Sequence, residues 1–292
     1  MIASNKPHGS GVRFAPSPTG RFHVGNLRTA WVANALAKAL HEPLVLRVED
    51  IDTARAQKDS WFDPENGQAI DLKRIGIEHD ADYEWSIRQS TRYERHLEFF
   101  NKARSEGRIY PCDCSRKDVL RDLEQFATAP HSGTPSEYSG RCRNRDSSSL
   151  ADYKPADTLA WRWRMPESDT LPGQGGRHDP IVARTRPGGE GFAPGYNFAC
   201  AIDDAEGDFH VLVRAWDLEP VENVQALIRN WVNARDRAVV FHCALITRDD
   251  GGRLEKRTQG VTLSELLSLG VNVDLLTKKF AASFDQQAAL QQ

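Results

Sequence analysis

The chain has 292 residues, a formal net charge of −3 at pH 7, and 39% hydrophobic and 27% charged residues. That length holds one large domain with an insertion or two modest ones, each with a real core, and the near-neutral balance excludes an overall basic field that would draw the chain to nucleic acid or an anionic membrane. No window approaches the roughly 18 uninterrupted apolar residues of a membrane span, and the opening MIASNKPHGSGVRF has no apolar run of signal-peptide length, so a soluble cytoplasmic protein without a membrane partner is expected.

GVRFAP (11 to 16) reads as a short strand stopped by Pro16, and from Val24 apolar residues recur at helical spacing until just before Pro43. PLVLRVED (43 to 50) is the next strand, and strand, helix, strand is a parallel crossover unit. A second amphipathic helix is expected from Tyr93 to Ser105. Residues 112 to 192 differ in kind. Stretches such as SGTPSEYSG and PESDTLPGQGGRHDP are loop chemistry, and the region reads as an insertion with long connections. YNFACAIDD (196 to 204) reads as a strand, FHVLVRAWDL (209 to 218) as another, and a helix follows from Glu219 to Val232. LITRDDGGRLEKRTQG (245 to 260) is a charged, glycine-containing loop, and a short helical tail closes the chain.

Neither GxxxxGK[ST] nor GxGxxG occurs, so two common nucleotide-binding signatures are missing. A helix N-terminus can still hold phosphate through its free N–H groups and dipole. The stretch RFAPSPTGRFHVGN (13 to 26) leads into one, and Gly25 there admits a close ligand. Taken generically it is a strand-to-helix turn with an incidental histidine.

Arg13 to Gly20, followed by His23, Val24, Gly25 and Asn26, resembles the opening of the glutamyl-tRNA synthetases, which are class I aminoacyl-tRNA synthetases; RVEDID (47 to 52) resembles their next block. The resemblance implies a Rossmann-type α/β catalytic domain with a parallel sheet. Its halves are expected at 11 to 110 and 192 to 245, around an insertion at 111 to 191, with a loop and helical tail at 246 to 292. It implies ATP binding at His23, Gly25 and Asn26, with His23 and Asn26 catalytic. Glutamate has one ammonium and two carboxylates, so its pocket needs a carboxylate and arginine. The implied glutamate site comprises Arg13, Phe14, Ala15, Pro16, Ser17, Glu49, Tyr196 and Arg214. Arg214 lies in RAWDL, which resembles the family block RGADL with Ala215 and Trp216 replacing glycine and alanine.

RLEKR (253 to 257) stands where the family has KMSKS. Lys256 matches its second lysine, implied to be catalytic and ATP-binding, whereas Arg253 and Glu255 depart from the motif. ATP implies Mg²⁺, for which no dedicated protein cage is visible.

Of the five cysteines, Cys200 and Cys243 stand alone and read as core residues, while Cys112, Cys114 and Cys142 cluster. With Tyr138 they offer four donors, the number a structural zinc takes, although C-x-C is tight and tyrosine is an unusual ligand. Spacing alone leaves zinc and three unconnected buried cysteines both open. C-x-C followed by Y-x-x-x-C resembles the zinc site of the glutamyl-queuosine tRNA(Asp) synthetases, short relatives without the anticodon-binding domain. That resemblance implies one structural Zn²⁺, activation of L-glutamate with ATP in the absence of tRNA, and transfer to queuosine in the tRNA(Asp) anticodon. About 35 residues follow RLEKR, too few for another domain. A monomer is expected. The alternatives are a truncated glutamyl-tRNA synthetase charging tRNA(Glu), or a non-catalytic regulator binding an amino acid or RNA. Arg141, Arg143, Arg145 and WRWR (161 to 164) are read as surface charges with a tryptophan pair facing a core, or else as RNA contacts.

Overall fold

The computed structural model describes residues 11–51, 67–78, 88–119, 138–148, 150, 153–154, 157–166, 179–187, 190–246 and 261–290. In chain order the elements are β1 (Val12–Phe14), α1 (Val24–Leu40), β2 (Leu44–Leu46), α2 (Gln68–Arg74), α3 (Tyr93–Ser105), β3 (Ile109–Cys112), β4 (Leu159–Trp163), β5 (Ile181–Thr185), β6 (Ala193–Pro194), α4 (Tyr196–Gly207), β7 (Val211–Ala215), α5 (Glu222–Val232), β8 (Val239–Cys243), α6 (Leu263–Ser268) and α7 (Val273–Leu290). The chain divides into two units. One comprises Met1–Thr91, Asp203–Asn223 and Arg229–Gln292; the other comprises Arg92–Ile202 and Val224–Ile228.

In the first unit the strands run in the order β2-β1-β7-β8, all parallel. Every residue of β1 and β2 is buried, as a sheet covered on both faces requires. Val12, Phe14, Leu46 and Val213 share one core with Leu27, Ala30 and Ala33 of α1 and with Leu276 and Phe280 of α7. Small residues dominate the buried face of α1, which lets its backbone come close to the sheet. His41 ends that helix in the left-handed conformation (φ 55°). The tail is longer than the sequence implies. α7 has 18 residues, and its Phe280 and Phe284 rings lie 6.5 Å from Trp31 and 5.8 Å from Phe241.

In the second unit β3-β4-β5-β6 form an antiparallel sheet. Phe100 of α3 packs edge-on to Trp161, 5.2 Å between centroids. The loop reading of 112 to 192 misses β4 and β5. All five residues of β4 are buried, so the polar–apolar alternation that announces a half-exposed strand is absent.

Two expectations are corrected. Residues 196 to 204 are not a strand but most of α4. A short apolar run does not distinguish strand from helix by periodicity; here Phe198 and Ile202 stand four apart among alanines, which favours helix. Arg162 is not a surface charge. It is 7% exposed, between the buried Trp161 and Trp163. The helix expected from Glu219 starts as a 3-10 turn, Trp216–Val221, and becomes α-helical at Glu222. Cys200 and Cys243 are buried, as core residues would be. Among the described residues no helix is long and apolar enough to cross a membrane.

Gly195 joins β6 to α4, and a Cβ there would stand 2.9 Å from the Val182 carbonyl oxygen, which accepts the Gly195 N–H at 2.7 Å. Gly195→Ala is therefore expected to cost about 1–3 kcal/mol, read as a lower urea midpoint at unchanged m-value.

Candidate active site

The stretch that follows β1 is tied down through its backbone. The Phe14 and Pro16 carbonyls accept the N–H groups of Arg47 and Glu49 at 3.1 and 2.9 Å, extending the β1–β2 pairing beyond the strands. Gln68, fully buried on α2, donates Nε2–H to the carbonyls of Ser17 (3.0 Å) and Gly20 (2.7 Å). Phe14 and Pro16 are buried, Ala15 is half-buried and Ser17 is exposed.

His23 then caps α1. Its Nδ1 accepts the Gly25 N–H at 3.1 Å, and Asn26 Oδ1 accepts the His23 N–H at 3.4 Å. A Cβ on residue 25 would lie 2.9 Å from His23 Cε1, so glycine makes room for the imidazole. An imidazole that accepts at Nδ1 carries its proton at Nε2 when neutral, and so presents a donor. The first turn holds no acidic side chain to offset the positive end of the dipole.

In register, Arg13 pairs with Val45 and Leu212. Arg47 and Arg214 stand two residues beyond those partners, an even offset, so all three side chains leave the same face of the sheet. They converge on Asp204 of α4. Arg13 grips both carboxylate oxygens, through Nε at 3.0 Å and Nη2 at 2.6 Å. Arg47 Nη1 donates at 2.6 Å and Arg214 Nη2 at 3.3 Å. Arg47 also reaches Glu49 (3.1 Å), and Arg214 reaches Glu222 (3.1 Å). Asp203 accepts Gln89 Nε2–H at 2.8 Å. Burial alone would raise the Asp204 pKa, but Arg13, Arg47 and Arg214 outweigh it and hold the carboxyl well below the usual range.

The structure thus gathers Arg13, Glu49 and Arg214 in one buried charged cluster and places His23, Gly25 and Asn26 together at the start of α1. Tyr196 belongs to the second unit and is 39% exposed in the first turn of α4. Lys256, with the rest of RLEKR, lies outside the described residues. Sequence reasoning missed Gln68, Arg47, Asp203 and Asp204. The signals were present: an arginine inside the apolar run LVLRV, and two adjacent acids closing the apolar run YNFACAI.

In the second unit, Cys112 at the end of β3, Cys114, Tyr138 and Cys142 meet. Cys114 and Cys142 sulfurs are 3.5 Å apart, Cys112 Sγ is 3.6 Å from Tyr138 Oη, and the three sulfurs lie within 4.8 Å of one another. A tetrahedral ion about 2.3 Å from sulfur and about 2.0 Å from oxygen spaces its donors by about 3.5 to 3.8 Å, so the set fits zinc. Arg162 Nε–H points at Cys112 Sγ (3.3 Å), with the guanidinium 3.6 Å above the Tyr138 ring. Hydrogen bonds from Cys142, Arg162 and Tyr138 bring the Cys112 thiol down to about 4 against the opposing effect of burial. A hydrogen bond to Cys112, together with burial, pushes Cys142 up.

Residues 11–276 match the family described as tRNA synthetases class I (E and Q), catalytic domain, and the chain belongs to that family of ligases. It is 34% identical over 275 residues to the glutamyl-Q tRNA(Asp) synthetase of Nocardia farcinica (strain IFM 10152), across 88% of this chain and 79% of that one. It is 31% identical to the glutamate–tRNA ligase of Aquifex aeolicus (strain VF5), across 86% of this chain. Its fold matches the crystal structure of a glutamate tRNA ligase from Elizabethkingia meningosepticum CCUG26117 in complex with its amino acid, at TM-score 0.63 and 25% identity. The chain spans about half, 52%, of each of these two ligases.

Removing the Asp204 charge leaves three buried guanidinium groups sharing fewer acids. Asp204→Ala is expected to cost about 3–5 kcal/mol, measured by urea unfolding at neutral pH. Because the folded pKa lies below the unfolded value of 3.8, this stabilisation is present above pH 3.8 and is lost as the pH falls through the folded value. Asp204→Asn should accordingly show a flatter loss of stability below about pH 4 than the wild type.

Proposed function

We propose that the protein activates L-glutamate with ATP, without needing tRNA, and transfers the glutamyl group to queuosine in the anticodon of tRNA(Asp). The observation that carries this reading is the convergence of Cys112, Cys114, Tyr138 and Cys142 in a chain 34% identical to a relative named for that activity. The glutamate α-carboxylate is itself the nucleophile. It attacks the α-phosphorus of ATP in line, the glutamyl-adenylate bond forms and pyrophosphate leaves, so no general base is required.

In this reading Arg13 and Arg214 recognise the substrate carboxylates, Glu49 takes the ammonium, and Phe14, Ala15, Pro16, Ser17 and Tyr196 line the rest of the glutamate site. The Arg13 and Arg214 forks are held by Asp204, which supports the reading because a preorganised arginine loses little freedom on binding. His23, Gly25 and Asn26 receive ATP at the positive end of α1, where donors stabilise charge that develops on the phosphates. Lys256 adds a cation there, and Mg²⁺ accompanies ATP. One zinc ion in the cysteine site would hold β3 to the Tyr138–Cys142 turn, a structural role. The domain limits 11 to 110, 111 to 191, 192 to 245 and 246 to 292 are part of the same proposal, as are a monomeric state and a cytoplasmic location.

Glutamate-dependent exchange of pyrophosphate into ATP, measured without tRNA, tests the first half. Exchange is expected, and its absence at saturating substrates overturns the catalytic reading; exchange only with tRNA(Glu) points to a tRNA(Glu)-charging enzyme. His23→Ala should lower the exchange rate by about 10²–10³. Labelled glutamate should transfer to tRNA(Asp) carrying queuosine and not to the same RNA lacking it. Metal analysis should find about one zinc per chain, lost when Cys112 and Cys142 are changed to serine.

A further inference from the structure

We infer that Arg28 and Gln287 are positioning residues for the ATP half of the site: together they clamp the C-terminal end of β8 to the helix that begins at His23. The inference rests on the synthetase reading above and concerns residues that reading does not use.

β8 is an edge strand of the described parallel sheet, paired only with β7. His242 and Ala244 have the same parity along the chain, so their backbone groups point the same way. Those groups are taken up by side chains. Gln287 of α7 donates Nε2–H to the His242 carbonyl at 2.8 Å, and its Oε1 accepts the Ala244 N–H at 3.1 Å. Arg28 Nη1 donates to the Ala244 carbonyl at 3.2 Å. The two side chains are also joined, Arg28 Nη2 to Gln287 Oε1 at 3.1 Å, and Arg28 Nε donates to Ser283 Oγ at 2.8 Å. Arg28 is 4% and Gln287 is 8% exposed.

A purely stabilising contact would not need this chemistry. A buried guanidinium costs desolvation, and apolar side chains of similar size often stabilise as well. What directional bonds add is register, because they fix two backbone groups of the strand end, where apolar packing tolerates sliding. The strand end is fixed to something that matters for ATP. Arg28 lies five residues beyond His23, about 7.5 Å along a rigid helix axis. Ligands of parallel α/β sheets bind beyond the C-terminal ends of the strands, and the clamp holds one of those ends in step with the N-terminus of α1. A shift of about 1 Å in such a site is enough to cost up to about 10²-fold in rate.

The test is pyrophosphate exchange with ATP and glutamate varied separately. Gln287→Met keeps the volume and removes both the donor and the acceptor. Its KM for ATP is expected to rise about tenfold while the KM for glutamate stays within about twofold. Ser283→Ala, which removes one Arg28 bond and leaves the fold intact, should raise the KM for ATP about twofold to threefold. Gln286→Ala, on the exposed side of α7, should match the wild type. If Gln287→Met melts at a lower temperature but binds ATP with the wild-type KM, the clamp is structural only and the inference is overturned; were that variant not to fold, an unshifted Ser283→Ala would overturn it. A wild-type protein without exchange overturns the synthetase reading itself, and the clamp's role with it. The two failures are therefore distinct.

Discussion

The carboxylate of Asp204 is the interaction on which the first unit depends. Three arginines carried by or adjoining neighbouring parallel strands would repel one another in a dry interior, yet each donates to that one group. Glu49, Asp203 and Glu222 complete a set in which three positive charges face four negative ones. A network of this kind is stable only when nearly every member is satisfied. It is bought at the cost of desolvating several charges, which apolar residues could have avoided. What the network provides is placement: Arg13 and Arg214 are each held in one orientation by Asp204.

The start of α1 uses backbone more than side-chain charge. The turn after β1 is fixed by strand-like bonds to Arg47 and Glu49 and by the buried amide of Gln68. His23 then caps α1, and the small size of Gly25 lets the imidazole fold back. The first-turn N–H groups are already taken, Val24's by the Val261 carbonyl at 3.0 Å and Gly25's by His23 Nδ1 at 3.1 Å, so what this terminus would offer an anion is the helix dipole, a different device from the charge pairing around Asp204.

The second unit makes its own local case. Cys112, Cys114, Tyr138 and Cys142 draw two separated chain segments to one point, and Arg162 covers that point from β4. Tyr110, Cys112, Tyr138, Cys142 and Ala160 form a buried cluster there, and a bound dication would add a cross-link to it.

Local order fixed much of this before any fold was known. The start of α1, the extent of α3, the parallel crossover, and the motif residues from Arg13 to Asn26 are legible in the chain, because capping, periodicity and glycine placement act within a few residues. The cysteine cluster was legible as a possibility. Other features were not. YNFACAIDD reads as a strand because residues 198 to 204 are all buried, and an all-round buried segment leaves no periodicity to separate helix from strand. Arg162 and Arg28 resemble surface charges in sequence, since nothing local reveals that distant partners satisfy them. Asp204 and Gln287 likewise acquire their roles only through residues far away in the chain. The sequence by itself determined which chemical groups the protein owns and which short stretches shape them; the tertiary structure alone decided which charges are buried together, because pairing energy in a dry interior depends on distance in space and not on separation along the chain.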